Sequence, residues 1–241
     1  MPISFGVIIA FGAAVLVGAV IQGAFGFGYA LVVVPTMVLL YPKAVPVTPL
    51  LLALLMTSYM AIRERGSIDV EAFFLSTSGR ALGAVFGVGL LKIIPAQYLS
   101  VMLGLFIIAT ALLSFFSPNF EPSRGTQVAG GMAAGITGTI AAIGGTPLAL
   151  VYQDRQGPEL RATLAISFVA GIVASLVVLT LAGRVDGQHL LLALELLPAV
   201  LVGLWASRWV IKFLDERWVR PSVLAFAALA GAVIVVLGLQ G

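Results

Sequence analysis

The fold depends on a glycine-rich interruption near the start of the chain, Gly18-Ala-Val-Ile-Gln22-Gly23-Ala-Phe-Gly26-Phe27-Gly28-Tyr29-Ala-Leu-Val-Val-Val-Pro35. It lies within residues 3–41, which contain no charged side chain. As one continuous helix these residues would measure about 58 Å, whereas a bilayer core is about 30 Å thick. Each glycine weakens a helix by roughly 1 kcal/mol relative to alanine, so this cluster of glycines followed by a proline predicts a broken helix.

Such a break has a functional implication inside a membrane. Backbone N–H and C=O groups that leave a helix at membrane depth must be buried in protein or must line a water-filled cavity. Broken helices of this kind form substrate sites in secondary transporters. The stretch therefore predicts a transport site.

The composition is typical of a polytopic membrane protein. The 241 residues are 61% hydrophobic and 10% charged, with a mean hydropathy of +1.14. These values exclude an ordinary soluble domain. The net charge of +3 is spread over short loops, which indicates contact with the lipid bilayer and not with nucleic acid. The first apolar segment lacks a basic n-region and an evident cleavage site, and we expect it to be a retained span.

The sequence lacks the residues of thiolate and histidine metal sites. Cysteine is absent, which excludes thiolate metal sites and cysteine nucleophiles. His189 is the single histidine, so a histidine metal cluster is excluded as well. The common motifs of hydrolases, metalloproteases and nucleotide-binding loops are missing. We therefore expect no metal, no cofactor and no enzymatic activity.

Short polar turns divide the chain into about eight apolar segments. We predict an all-α polytopic membrane protein in which the first and fifth segments are broken at glycines. The predicted segments are residues 3–41, 46–62, 70–91, 97–116, 127–152, 160–182, 188–211 and 219–239. Four lie in residues 1–120 and four in residues 121–241, which we interpret as two transmembrane repeats of one membrane domain.

The two halves share features in the same order. Gln22-Gly23 corresponds to Thr137-Gly138, and Gly83 corresponds to Gly203, so that the offset changes only from 115 to 120 residues. Copies in which all four segments cross the membrane would be parallel. A glycine segment that turns back would instead invert one copy relative to the other. The sequence leaves both arrangements open.

Basic residues are distributed unevenly between the predicted loops. The first, third, fifth and seventh loops contain eight of them, and the second, fourth and sixth contain four. If every segment crosses once, the positive-inside rule places the odd-numbered loops in the cytoplasm and both termini outside.

A second glycine cluster, residues 130–147, lies at the corresponding place in the second half. Two breaks that face each other would form one site near the middle of the membrane, where helix ends and threonine hydroxyls offer donors to an anion. The alternative is close helix packing, which we prefer for Gly83-x-x-x-Gly87 and Gly131-x-x-x-Gly135. The candidate substrate-binding residues at the breaks are Gln22, Gly23, Gly26, Phe27, Gly28, Thr137, Gly138, Gly144, Gly145, Thr146 and Pro147.

Arg80 is the charged residue placed deepest within a predicted span. An arginine at that depth must face the bundle interior or water, and without a carboxylate partner it would attract an anion. We therefore add Arg80 to the candidate binding residues. The alternative is a structural ion pair with Glu195, the only carboxylate well inside a span. Glu195 is also a candidate for proton coupling, because burial raises the pKa of a carboxyl group.

The residues alone support more than one class of function. The first is a secondary transporter of a small anion that binds between the two breaks. The second is a transporter or channel for another small solute, either uncharged or cationic. The third is a membrane subunit that does not transport, or an intramembrane enzyme. Assembly into a homo-oligomer is compatible with each of them.

The two glycine clusters together resemble the paired signature of a known family. The matching stretches are residues 23–35 and 138–152, and they are similar to those of the sulfite exporter TauE/SafE family, also called the toluenesulfonate uptake permeases. The resemblance covers nearly the whole chain, although Tyr29 and Ala30 stand where further glycines are frequent. It implies a multi-pass carrier of the bacterial inner membrane that moves sulfite, sulfonates, sulfoacetate or related sulfur-containing anions, often outward.

Overall fold

The computed structural model describes residues 4–116, 123–152, 157–210 and 216–240, and within these ranges the chain forms helices and no strand. Two single 3₁₀ turns, Pro42–Ala44 and Arg65–Ser67, lie between helices. The α-helices are α1 (Phe5–Phe25), α2 (Tyr29–Leu40), α3 (Val47–Arg63), α4 (Val70–Ile93), α5 (Ala96–Phe116), α6 (Arg124–Ala141), α7 (Gly145–Val151), α8 (Gly157–Leu181), α9 (Gly187–Val210) and α10 (Glu216–Gln240).

Six helices of the described chain are long and apolar enough to cross a membrane, and the protein is a multi-pass membrane protein. These stretches are Phe5–Phe25, Val70–Ile93, Tyr98–Phe116, Gly157–Leu181, Gly187–Val210 and Pro221–Gln240. Two shorter apolar helices, Tyr29–Leu40 and Val47–Arg63, join them. The predicted segments 3–41 and 127–152 each contain two helices and not one interrupted crossing.

The first glycine cluster reverses the direction of the chain. Gly26 and Gly28 have φ angles of 89° and 107°, which favour glycine because a side chain is strained there. As a result α2 runs back along α1, and Gly18 of α1 lies against both Tyr29 and Val33 of α2. We call α1, α2 and their turn hairpin 1.

The second cluster reverses the chain in the same way. The turn follows Ala142, which adopts a left-handed conformation with a φ of 59°. From there α7 returns along α6, so that Gly144 lies against Ala134 and Gly130 lies against Val151. We call α6, α7 and their turn hairpin 2.

One end of the bundle, here end A, contains the connections α2–α3, α4–α5 and α8–α9. There the Nε2 atom of His189 lies 2.9 Å from the carbonyl oxygen of Lys43. The Arg184 guanidinium donates to the carbonyl of Leu91 over 3.1 Å. These contacts bring the three connections together.

Asp186 begins α9 at end A. Its carboxylate accepts the backbone N–H of His189 over 3.1 Å and that of Gln188 over 3.0 Å. The hydrogen bond from the His189 N–H lowers the pKa of the Asp186 carboxyl group, and the hydrogen bond from the Gln188 N–H acts in the same direction. The carboxylate therefore caps the two free N–H groups in its ionised form.

The opposite end, end B, joins α3, α4, α6 and α8. Arg161 near the start of α8 pairs with Glu64 after α3 at 3.1 Å. Arg124 at the start of α6 pairs with Glu71 at the start of α4 at 2.9 Å. The hydroxyl of Tyr152, just after α7, donates to the carbonyl of Ala72 over 2.9 Å.

These contacts overturn the arrangement in which every segment crosses once. Hairpin 2 begins at end B and returns to end B, so α8 starts on the same side as α6. Hairpin 1 leads into α3 at end A. The odd-numbered loops therefore do not share one side, because each glycine break turns the chain back where a continuous helix would have crossed.

Glycines allow α4 and α6 to pack backbone against backbone. A Cβ atom at Gly83 would collide with the carbonyl oxygen of Met132 and lie 3.0 Å from the Cα atom of Gly135. Gly131 lies equally close to the backbone of Ser76. The close packing predicted for Gly83 and Gly131 is thus confirmed, and it matches the small-residue interfaces of membrane helices.

We expect Gly83→Ala to destabilise the protein, because the rigid backbone of α6 cannot move away from the added methyl group. The free energy of unfolding should fall by about 1–3 kcal/mol, as for other overpacked cores. Thermal unfolding in detergent measures the effect. Gly89→Ala in the same helix is the control, since a Cβ there meets nothing within 4 Å. An unchanged Tm for Gly83→Ala would contradict the packing described.

Candidate functional site

A small cavity lies where the two hairpin turns meet α3, α4 and α8. Its volume is about 40 Å³, which accommodates about three water-sized groups. Both glycine clusters contribute to its wall. The lining residues are Gln22, Gly28, Tyr29, Ala30, Leu31, Leu50, Ala53, Thr57, Arg80, Gly138, Ala142, Gly144, Gly145, Thr146, Phe168 and Ile172.

Arg80 is the only charged side chain among the described residues that line this cavity. The residue is 2% exposed. The Nε and Nη1 atoms have no hydrogen-bond partner, and no carboxylate of the described chain forms an ion pair with it. A buried guanidinium is strongly unfavourable unless an opposite charge compensates it. The cavity is therefore biased towards an anion.

Two residues of α8 fix the position of the Arg80 guanidinium. Its central carbon lies 5.4 Å from the centre of the Phe168 ring, a cation–π distance. On the next turn, Gly171 lies so close that an added Cβ atom would overlap Nε and Cζ of Arg80. Phe168 and Gly171 thus form a slot for the guanidinium.

The Gln22 side chain holds the turn of hairpin 1 closed. Its amide nitrogen donates to the carbonyl of Gly26 over 3.1 Å. Its amide oxygen accepts the backbone N–H of Tyr29 over 3.2 Å. One side chain thereby satisfies backbone groups on both sides of the break, as buried polar groups require.

Thr137 has the corresponding position in hairpin 2. Its hydroxyl donates to the carbonyl of Ala133 over 2.8 Å and lies 3.4 Å from the carbonyl of Ile143, beyond the turn. Gln22 and Thr137 are the pair that the sequence aligned between the two halves. Both stabilise a hairpin turn.

Other polar groups reach the same wall. The Tyr29 hydroxyl is buried and has no hydrogen-bond partner among the described residues. Thr57 of α3 lines the cavity, and its hydroxyl donates to the carbonyl of Ala53 over 2.8 Å. The cavity therefore combines one cation with neutral polar groups and apolar walls, a composition suited to a small partly desolvated anion.

The structure brings seven of the predicted binding residues together around the cavity and places five elsewhere. The seven are Gln22, Gly28, Arg80, Gly138, Gly144, Gly145 and Thr146. Gly23 packs against Ser207 of α9, and Gly26 packs against Arg161. Phe27 lines a separate apolar cavity beside α10. Thr137 holds the turn of hairpin 2 from within, and Pro147 is buried in α7.

Glu195 lies on the exposed surface of α9 and is not among the residues that line the cavity. It forms no ion pair with Arg80, and the alternative of a structural Arg80–Glu195 pair is wrong. The two residues lie on helices whose order in the bundle the sequence does not reveal. Proton coupling through Glu195 stays a prediction.

Tyr29, Thr57, Phe168 and Gly171 contribute to the site without having been predicted. Gly171 does carry a sequence signal, because Ser167, Gly171 and Ser175 recur at four-residue spacing and form a small-residue face on α8. This face meets α4 and α6: the hydroxyls of Ser167 and Ser76 are 3.1 Å apart. Thr57 and Phe168 lie in apolar helices without any distinguishing pattern.

Comparison with known proteins identifies the chain at the level of its family. No curated protein and no solved structure matches it. A family model described as sulfite exporter TauE/SafE matches residues 10–234, which is nearly the whole chain. The resemblance of the two glycine clusters is confirmed, and the protein belongs to the TauE/SafE family of membrane transporters.

Proposed function

We propose that the protein is a secondary transporter of the bacterial inner membrane that exports small sulfur-containing anions such as sulfite, sulfonates or sulfoacetate. The observation that carries this proposal is the unpaired, buried Arg80 between the two hairpin turns. A guanidinium with free N–H groups matches the several oxygens of a sulfite or sulfonate group. Membership of the family supports transport of sulfur-containing anions, and the cavity beside Arg80 is the binding site that we propose.

The start of α2 supports anion binding at the same place. Gly28, Tyr29 and Ala30 at its N-terminus line the cavity together with Arg80. The N-terminal end of a helix carries a partial positive charge of about half a unit. Arg80 and this helix end thus favour the same sign of charge. Binding between the two breaks is the arrangement that this geometry favours.

We also propose that residues 1–120 and 121–241 are repeats of inverted topology. Hairpin 1 begins and ends at end A, and hairpin 2 begins and ends at end B. The packing pairs correspond as an inverted repeat requires: α1 packs on α9 as α6 packs on α4, and α3 packs on its counterpart α8. Such a relation supports alternating access to a site between the repeats.

The basic residues favour end B as the cytoplasmic side. Three belong to the segments at end A: Lys43, Lys92 and Arg184. Five of those whose side chains the structure describes belong to the segments at end B: Arg63, Arg65, Arg124, Arg161 and Arg208. By the positive-inside rule, both termini then lie outside.

Flux through the purified protein in liposomes tests the transport proposal. We expect ³⁵S-sulfite or ³⁵S-sulfoacetate to leave loaded vesicles faster than it leaves protein-free vesicles. The protein should not accelerate the efflux of an uncharged solute of similar size, because such a solute forms no ionic interaction with Arg80. Movement of a neutral or cationic solute without any anion flux would contradict the proposal and favour a transporter of another solute. Absence of all flux would favour a subunit that does not transport.

A further inference from the structure

A groove on the outer surface of the bundle combines apolar walls with a cationic end. It lies between α3 and α9, has a volume of about 220 Å³, and is separate from the cavity that contains Arg80. Leu55, Leu201 and Trp205 line it and are 51%, 58% and 63% exposed. In a membrane protein these side chains face the acyl chains of the bilayer. We call this feature the α3/α9 groove.

The cationic end is formed by Arg208 together with Tyr59. The guanidinium carbon of Arg208 lies 5.6 Å from the centre of the Tyr59 ring, and that of Arg63 lies 5.9 Å from the same ring. Arg63 is paired with Glu64 at 2.6 Å. Arg208 forms no ion pair with any described carboxylate and is exposed.

The charge and the apolar wall are separated along the membrane normal. Arg208 lies in the last turn of α9, at end B. Leu201 lies seven residues earlier, about 10 Å deeper at the rise of an α-helix. Trp205 lies between them at a depth where tryptophan is enriched at membrane interfaces. The groove therefore has a cation at headgroup depth and an apolar wall below it.

We propose that the α3/α9 groove binds an anionic phospholipid. The lipid phosphate contacts Arg208, and one acyl chain follows Leu201 and Leu55 towards the membrane centre. Unpaired basic side chains next to spaces between transmembrane helices recognise anionic headgroups in this way. A phospholipid satisfies both parts of the groove, whereas a free phosphate contacts only the charge.

Native mass spectrometry of the purified protein with phosphatidylglycerol and with phosphatidylcholine of identical chains tests the assignment. We expect wild type to retain phosphatidylglycerol more tightly, and Arg208→Gln to lower that affinity about fivefold without changing retention of phosphatidylcholine. The matched control is Arg124→Gln, an exposed arginine at the same end that pairs with Glu71. Equal retention of both lipids by wild type, or no effect of Arg208→Gln, would overturn the proposal.

A second variant tests the apolar wall. Leu201→Trp fills the groove from its exposed side and should also weaken phosphatidylglycerol binding. Glycerol phosphate, the soluble headgroup, should not displace the lipid. Displacement at a concentration similar to that of the lipid would show that the groove binds an anion without an acyl chain, and the proposal would be wrong. A change from dimer to monomer in Leu201→Trp would show that a second copy of the chain covers the groove, and the proposal would then be wrong.

Discussion

Arg80→Met is expected to reduce anion flux about 100-fold while the protein stays folded. Among the residues of the cavity wall that the structure describes, Arg80 alone is charged, and methionine replaces it with an apolar side chain of similar length. Loss of one member of a buried charge pair costs about 3 kcal/mol or more, which corresponds to about 100-fold in binding. Efflux of ³⁵S-sulfite from proteoliposomes measures the loss.

The thermal stability of the same variant distinguishes binding from a structural role. A guanidinium with two unpartnered nitrogens destabilises the empty protein, so Arg80→Met should unfold at the same or a higher temperature. Arg124→Met is the control, because Arg124 forms an exposed ion pair at end B and should change neither flux nor Tm appreciably. Normal flux together with a lower Tm for Arg80→Met would show that Arg80 is structural.

Gly171→Ala is expected to lower flux about tenfold or more without removing any polar group. The new methyl group would occupy the slot that holds the Arg80 guanidinium, and the flexible arginine must then leave its place beside Phe168. Couplings between residues in contact reach about 3 kcal/mol, which is sufficient for this effect. Initial rates of anion efflux at several concentrations measure it.

A double variant makes the Gly171 prediction specific. In an Arg80→Met background, Gly171→Ala should have little further effect on flux, since the displaced group is already absent. Gly12→Ala is the matched control, because a Cβ at Gly12 meets nothing within 4 Å. Additive effects of the two substitutions at positions 80 and 171 would contradict the proposed slot.

The amino-acid sequence predicts the components of the site better than their arrangement. Charge-free length and the glycines at 23–28 predict a broken helix, since a continuous one exceeds the membrane thickness. Arg80 is predicted because a charged side chain at membrane depth is costly and must face the bundle interior or water. Whether the chain crosses or turns back at a break depends on φ angles at Gly26 and Ala142, and composition does not determine them.

The position of Phe168 and Gly171 of α8 beside Arg80 could not be predicted from the sequence. Phe168 and Gly171 contact the Arg80 guanidinium only because α8 packs beside α4. Apolar helices of similar composition can be ordered in a bundle in many ways, so the sequence does not predict this packing. Phe168 lies in an apolar helix, as do exposed phenylalanines such as Phe86 and Phe226. Its cation–π contact with Arg80 arises from tertiary packing alone.

No carboxylate of the described residues pairs with Arg80, and this has a consequence for the proposed transport cycle. If an anion binds Arg80 as proposed, it balances the charge in the cavity, and the loaded protein would change conformation without exposing a bare cation to hydrocarbon. The empty protein would then make the return step with that cation uncompensated, which would be the costlier of the two movements. A carrier built in this way operates most readily as an exchanger, in which a second anion accompanies the return.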